Sequence, residues 1–225
     1  MSQIEVFSIE NQTWRPSMPE WADPLTTRVG LLPRSTDLEL SRCTSTGPGR
    51  FSGRLEIAKL DSTMLSKVAI TPNLLSHLVR TPSSPVAAQL ISQVSGSCRL
   101  EQDGRSCTLR AGDWCLVNAL HPFNAWSLDE RSECLILTID RPSDTESRDL
   151  IDRAAVRRWS AKAGMSRVLH TTLIETFSQI DRLHARSRSS VRRALVAMAW
   201  DAVREQLELP PPGVHRDVVC ARIKT

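Results

Sequence analysis

The sequence predicts an α+β fold, a β-barrel or sandwich followed by an antiparallel pair of helices. Three observations carry that expectation. From Phe51 to Ile139 apolar residues alternate in short runs broken by turn residues, the spacing of an all-β unit. Within that stretch, Asp103-Gly104 separates two alternating runs, the strongest short-range signal for a β-hairpin. From Ser166 to Leu209 the apolar period lengthens to that of amphipathic helices.

Taken in order, residues 1–50 are rich in Pro, Ser, Thr and Gly and read as an irregular lead-in, packed on the core through Trp14 and Trp21. Residues 51–140 form the β unit. Its first strand, Phe51 to Lys59, puts Leu55 and Ile57 on one face and Arg54 and Glu56 on the other. Met64, Ser66, Val68 and Ile70 alternate along a second strand, and Val86 to Val94 is a third. Trp114 to Asn118 and Cys134 to Ile139 are short apolar runs of the kind buried on both faces.

The hairpin can be registered residue by residue. With Asp103 and Gly104 as a two-residue loop, Gln102 faces Arg105, Leu100 faces Cys107 and Cys98 faces Leu109. Cys98, Leu100, Cys107 and Leu109 then share the core side, and Arg99, Glu101, Ser106 and Thr108 face water. Cys98 and Cys107 are diagonal neighbours, so no disulfide is expected between them.

Residues 141–209 are the helical region. Ser143 can cap a helix with Glu146 three residues on. Leu169, Leu173, Phe177 and Ile180 line one helix between Ser166 and His184. A second, Ser187 to Leu209, carries two stripes, Val191/Leu195/Met198/Ala202 and Val196/Trp200/Val203/Leu207. One stripe suffices to pack on the first helix and the barrel. The second, Val196, Trp200, Val203 and Leu207, is expected to form a homodimer interface. Residues 210–225 read as a Pro210-Pro211-Pro212-Gly213 linker and the first turns of another helix.

Composition narrows the function. The 225 residues are 40% hydrophobic, enough for one core. No run approaches the roughly 20 apolar residues of a membrane span. Met1 to Glu10 shows no basic stretch leading an apolar one, so a cytoplasmic location is expected. Six cysteines, Cys43, Cys98, Cys107, Cys115, Cys134 and Cys220, include no Cys-x-x-Cys pair and read as free thiols. A metal-dependent barrel enzyme needs a His-x-His pair with further inward ligands; His77 and His121 have no partner two residues on, so no metal and no cofactor are expected. No Gly-x-Ser-x-Gly elbow and no phosphate-cradling Gly loop is present. The polar groups offered by the barrel strands, Ser66, Gln89, Gln93, Asn118 and Cys134, suit hydrogen bonding to a small molecule better than turning it over. Residues 1–140 carry 13 Lys and Arg against 15 Asp and Glu, whereas residues 141–225 carry 16 against 10. The arginine-rich stretch Arg182 to Arg193 straddles the inter-helix turn and reads as a solvated turn.

The order of these features resembles the N-terminal sensor domain of AraC/XylS-type bacterial transcription regulators, in the subgroup with an AraC-binding-like domain. The residues that carry the resemblance are Phe51-Ser-Gly-Arg-Leu55, His77-Leu-Val-Arg80-Thr81-Pro82, Val94-Ser-Gly96, Arg99 through Arg105 and Leu109-Arg-Ala-Gly-Asp113. The tail Arg216 to Lys224 is similar to the opening of that family's DNA-binding region. The resemblance implies a cupin-like double-stranded β-barrel without metal, followed by an antiparallel helix pair used for dimerisation. It implies a small-molecule effector and DNA contact only through a helix-turn-helix module, of which the opening residues alone stand in this sequence. Arg80, the one charge in Leu78-Val79-Arg80-Thr81, is the candidate partner for an anionic group of the effector, beside Ser66, Gln89, Gln93 and Asn118. The alternative reading is a metal-free cupin-like small-molecule-binding protein or enzyme with no DNA role.

Overall fold

A computed structural model describes residues 4–13, 50–70, 73–77, 86–140 and 145–209. Eleven strands and three α-helices occur in the order β1 (Ile4–Thr13), β2 (Arg50–Leu60), β3 (Thr63–Ile70), β4 (Asn73–His77), β5 (Val86–Ser95), β6 (Ser97–Gln102), β7 (Arg105–Arg110), β8 (Asp113–Asn118), β9 (Phe123–Ser127), β10 (Ser132–Asp140), α1 (Thr145–Ala154), β11 (Trp159–Ser160), α2 (Gly164–Gln179) and α3 (Ala185–Gln206). A seven-stranded sheet runs β1-β2-β3-β10-β5-β8-β11, and a four-stranded sheet runs β4-β9-β6-β7. All strand pairs in both are antiparallel. The fold is the cupin-like double-stranded β-barrel followed by an antiparallel helix pair.

The hairpin has the register read from the sequence: Gln102 opposite Arg105, Leu100 opposite Cys107, Cys98 opposite Leu109. Asp103 and Gly104 both have positive φ, 50° and 73°, which is the backbone a tight two-residue hairpin turn demands. Leu100 and Leu109 are fully buried, whereas Cys98 and Cys107 are only half-buried, and Glu101 and Thr108 are half-covered rather than exposed.

Alternation sorts the large sheet into two faces. Leu55, Ile57, Val68, Ile70, Ile91, Cys115, Val117 and Ile136 turn toward the small sheet, where Leu100, Leu109 and Phe123 meet them and fill the barrel. Leu60, Leu65, Leu90, Leu116, Leu137 and Ile139 turn the other way and pack under Leu169, Leu173, Phe177, Leu195, Ala199, Ala202 and Val203 of the helices. The sheet is therefore apolar on both sides, which is why its central strands read as near-continuous apolar runs.

One expectation needs correction at the N-terminus. Residues 4–13 are a strand paired along β2 from Ile4 opposite Ala58 to Thr13 opposite Arg50, not irregular chain. Half-buried Ile4 packs against the helix-side core, while Val6, two residues on, is 47% exposed. A strand spelled partly in Ser, Asn and Gln has little apolar alternation to announce it. Trp14, Trp21, Ser143 and residues 210–225 lie outside the described residues.

The helix pair is antiparallel. The turn falls at a 3₁₀ segment, Ile180–Arg182, followed by Leu183 and His184, slightly earlier than the sequence suggested. The N-terminus of α2 has no cap from its own N-cap residue, Ala163. Its orphan amide is met instead by the far end of α3, where Glu205 Oε2 accepts from Met165 N at 3.0 Å. Gly164 holds φ +61°, and a Cβ there would collide with that carboxylate. Gln206 Nε2 adds a donor bond to Ser166 Oγ at 3.2 Å.

Candidate functional site

The barrel-facing side of the large sheet is a lattice of cross-strand rows. One row reads Ile57, Ser66, Ile136, Ile91, Cys115 across β2, β3, β10, β5 and β8. A second, two residues along each strand, contains Thr138, Gln89 and Val117. The third, on the other side of the first, contains Leu55, Val68, Cys134 and Gln93. The structure thus brings Ser66, Gln89 and Gln93 onto one inward face, in three adjacent rows, with Gln89 and Gln93 about 13 Å apart along β5.

These three are fully buried, at 0% exposure. Ser66 Oγ and both amide atoms of Gln89 find no hydrogen-bond partner among the described residues. Gln93 is half satisfied: Nε2 donates to Ser95 O and Ser132 Oγ, both at 2.7 Å, while Oε1 has no partner. From the opposite sheet, Ser127 Oγ is another buried atom without a partner, on the alternation that carries Phe123 and Ala125 inward. Leaving a buried polar atom unpaired costs roughly 1–3 kcal/mol. Thr138 shows what satisfaction looks like in the same lattice, its Oγ1 accepting from Met64 N at 2.8 Å.

Asn118 is not part of this cluster. It stands on the helix-facing alternation of β8, where Nδ2 donates to Asp152 Oδ1 of α1 at 2.8 Å and Oδ1 accepts from Leu120 N at 2.9 Å. Its backbone is clasped by Gln102, which accepts from Asn118 N at 2.9 Å and donates to Asn118 O at 2.8 Å. That clasp ties β6 of the small sheet to β8 of the large one. Its role is architectural. The sequence carried a signal for Gln102, which shares the inward alternation of Cys98 and Leu100. Arg80 lies outside the described residues.

The helical candidates also divide. Val203 is fully buried in the core beneath the helices, together with Leu195, Ala199 and Ala202, so it cannot serve as an exposed interface residue. Val196, Trp200 and Leu207 remain half-buried at the edge of that core.

Between β5 and α2 a polar contact crosses the apolar layer, Ser92 Oγ to His170 Nδ1 at 2.6 Å. Burial, with Arg167 adding to it, holds His170 below its ordinary pKa, which favours the uncharged ring. Several arginines around the inter-helix turn have structural partners: Arg192 bridges Asp61 and Asp140, and Arg188 donates to Leu183 O. No group of three or more His, Cys, Asp or Glu that could hold a metal ion occurs among the described residues.

The model of the AraC-binding-like domain matches residues 37–202, about three quarters of the sequence. The chain belongs to that family. An AraC-binding-like domain accounts for both the barrel and the helix pair, since the match runs from before β2 into α3. Among solved structures, the AraC-like transcriptional activator CuxR is similar at 13% identity and a TM-score of 0.64, over 88% of this chain and 70% of that one. A cupin domain of an XRE family transcriptional regulator from Enterobacter cloacae is 12% identical over 40% of this chain and 97% of that one, with a TM-score of 0.35. No curated protein matches the chain in sequence. No helix among the described residues is long and apolar enough to cross a membrane.

Proposed function

We propose that this AraC-binding-like domain is the effector-sensing and dimerisation part of a cytoplasmic bacterial transcription regulator, and that it has no catalytic role. The observation that carries the reading is the set of unpaired polar atoms of Ser66, Gln89, Gln93 and Ser127 inside an otherwise apolar barrel. A small molecule with matched donors and acceptors entering between the sheets would pair them, and each bond so made recovers free energy the unpaired atoms forgo. The occupant is a compact, polar, uncharged group, because the described interior offers amide and hydroxyl partners rather than ions. Arg80 is a further candidate where the effector carries an anionic end.

The signal leaves through Ser92 and His170. Ser92 lies beside Gln93 on β5 but on the opposite face, so a shift of that strand is felt by α2. The helix pair forms a homodimer along the Val196, Trp200 and Leu207 edge, and DNA is read by a helix-turn-helix module rather than by the barrel or the helix pair.

The test is a thermal-shift screen of small polar metabolites against the wild-type chain and Gln89→Met, a nearly isosteric change that removes both orphaned atoms. An effector raises the melting temperature of the wild type and leaves that of Gln89→Met unchanged. A compound that stabilises both equally binds elsewhere and rejects the site. Sedimentation at micromolar concentration checks the dimer: the wild type sediments as a dimer and Trp200→Glu as a monomer.

A further inference from the structure

Cations crowd one edge of the molecule. β7 ends the four-stranded sheet and β11 ends the seven-stranded one. The two edges are tied together: Ala161 N, just past β11, donates to Gly112 O of the β7–β8 turn at 2.7 Å. Arg105 Nη1 of β7 donates to Asp152 O near the end of α1, also at 2.7 Å. From Arg153 to Ile174 the chain has five cations, Arg153, Arg157, Arg158, Lys162 and Arg167, and no acidic residue. All five are exposed, and buried Val156, Trp159 and Ala161 anchor the connector between them. Exposed Arg105 and Arg110 of β7 extend the same belt.

The belt is left positive. Asp152 and Asp113, the carboxylates bonded into this edge, are already engaged. Asp152 Oδ1 accepts from Asn118 Nδ2 at 2.8 Å, and Asp113 accepts from Arg110 N at 3.0 Å and faces Arg158 Nη1 at 3.8 Å. Arg110, Arg153, Arg157, Lys162 and Arg167 form no ion pair among the described residues. Charges on an edge strand deter pairing with another chain, a role that Arg105 and Arg110 can fill. Arg157 and Lys162 stand outside any strand and have no such role. Arg167 lies near the N-terminal end of α2, whose first turn has no acid, and a cation there works against the helix dipole.

We propose that this belt holds the phosphate backbone of duplex DNA without reading its sequence. Phosphates require only outward cations, whereas a protein partner needs apolar anchors at the centre of its contact. No large apolar side chain is exposed between 153 and 167. The choice of DNA rests on the reading of this domain as part of a transcription regulator, but it needs neither the effector nor the dimer. Base sequence is still read elsewhere, and the belt adds affinity and orientation.

The test is fluorescence anisotropy of the 225-residue chain with two labelled duplexes of unrelated sequence, between about 50 and 200 mM salt. Both duplexes should bind alike, within about 2-fold. With about four phosphates neutralised, affinity should fall on the order of 100-fold across that salt range. Arg157→Gln combined with Lys162→Gln should lower the salt slope by about 2. Arg182→Gln combined with Arg186→Gln removes the same charge at the inter-helix turn, beyond the 16 residues (about 24 Å) of α2, and should leave the slope unchanged. On the wild type, the duplex should shield Lys162 from acetylation. Exposed Lys59, five strands away across the large sheet, should stay as reactive as before. No binding at about 50 mM salt, or equal losses in the two double variants, would overturn the proposal. So would poly-glutamate binding as tightly as the duplex, which would assign the belt to an acidic protein. Should the Arg157/Lys162 variant fail to fold, the acetylation pattern decides. None of these outcomes bears on effector binding in the barrel, which the thermal-shift screen tests separately.

Discussion

The two faces of the seven-stranded sheet are made of the same strands and do different work. On the helix side, Ser92 holds His170 and Asn118 holds Asp152, and two buried atoms are left without a partner, Thr63 Oγ1 and Trp114 Nε1, the latter on a ring whose centroid lies 4.7 Å from that of Trp159 at a 48° tilt. On the barrel side, Ser66, Gln89 and Gln93 are just as buried and leave four side-chain atoms unpaired. One face is closed, and its apolar layer stabilises the domain. The other carries polar groups left without partners, and the proposed effector site rests on them.

That contrast can be broken from the helix side first. Val203→Lys places an unpaired charge in the core and should destabilise by about 3–5 kcal/mol, seen as loss of cooperative thermal unfolding. A well-folded variant with an unchanged melting temperature would mean that α3 does not pack as described. Leu173→Ala, at 0% exposure under the same helices, should cost about 2–5 kcal/mol in urea unfolding. The barrel side predicts the opposite sign. Gln89→Met removes two orphaned atoms at nearly constant volume and should raise the stability of the ligand-free protein by roughly 1–2 kcal/mol. A loss of stability there would show that the amide is satisfied.

The smallest effect concerns the Ser92–His170 contact on the helix side. His170 is held below its ordinary value of 6.5, by burial first and then by Arg167. The unfolded chain therefore takes up a proton that the folded one refuses. Stability should be full above about pH 6.5 and should decline as pH falls through that value toward the lower folded pKa, then level off with respect to this group. His170→Asn should flatten that part of the pH profile of the melting temperature, and an unchanged slope would assign the acid sensitivity to other groups.

Legibility in the sequence followed how many faces of an element are buried. The hairpin could be registered because Asp103-Gly104 fixes the turn and only one alternation is apolar. Ser66, Gln89 and Gln93 stood out as polar side chains on apolar strands, and the structure places all three on the barrel side. Asn118 looked the same in sequence but faces the helices, because β8 is buried on both sides and its alternation gives no direction. On α3 two apolar stripes compete, and the buried face takes Leu195, Ala199 and Ala202 with Val203 from the second stripe, leaving Val196, Trp200 and Leu207 at the edge.

The borrowed cap on α2 has a consequence for how the chain acquires its shape. Met165 N waits for Glu205, a residue forty positions later, before the first turn of α2 is closed. During synthesis α2 leaves the ribosome well before α3 is complete, so through that interval its first turn can only fray. The two helices should then consolidate in a single late step, and amide exchange at the start of α2 should follow the opening of α3's last turn rather than that of α2's own middle. Glu205→Gln, which keeps an acceptor but removes the charge at the helix N-terminus, should speed exchange at that one turn and leave the barrel strands untouched.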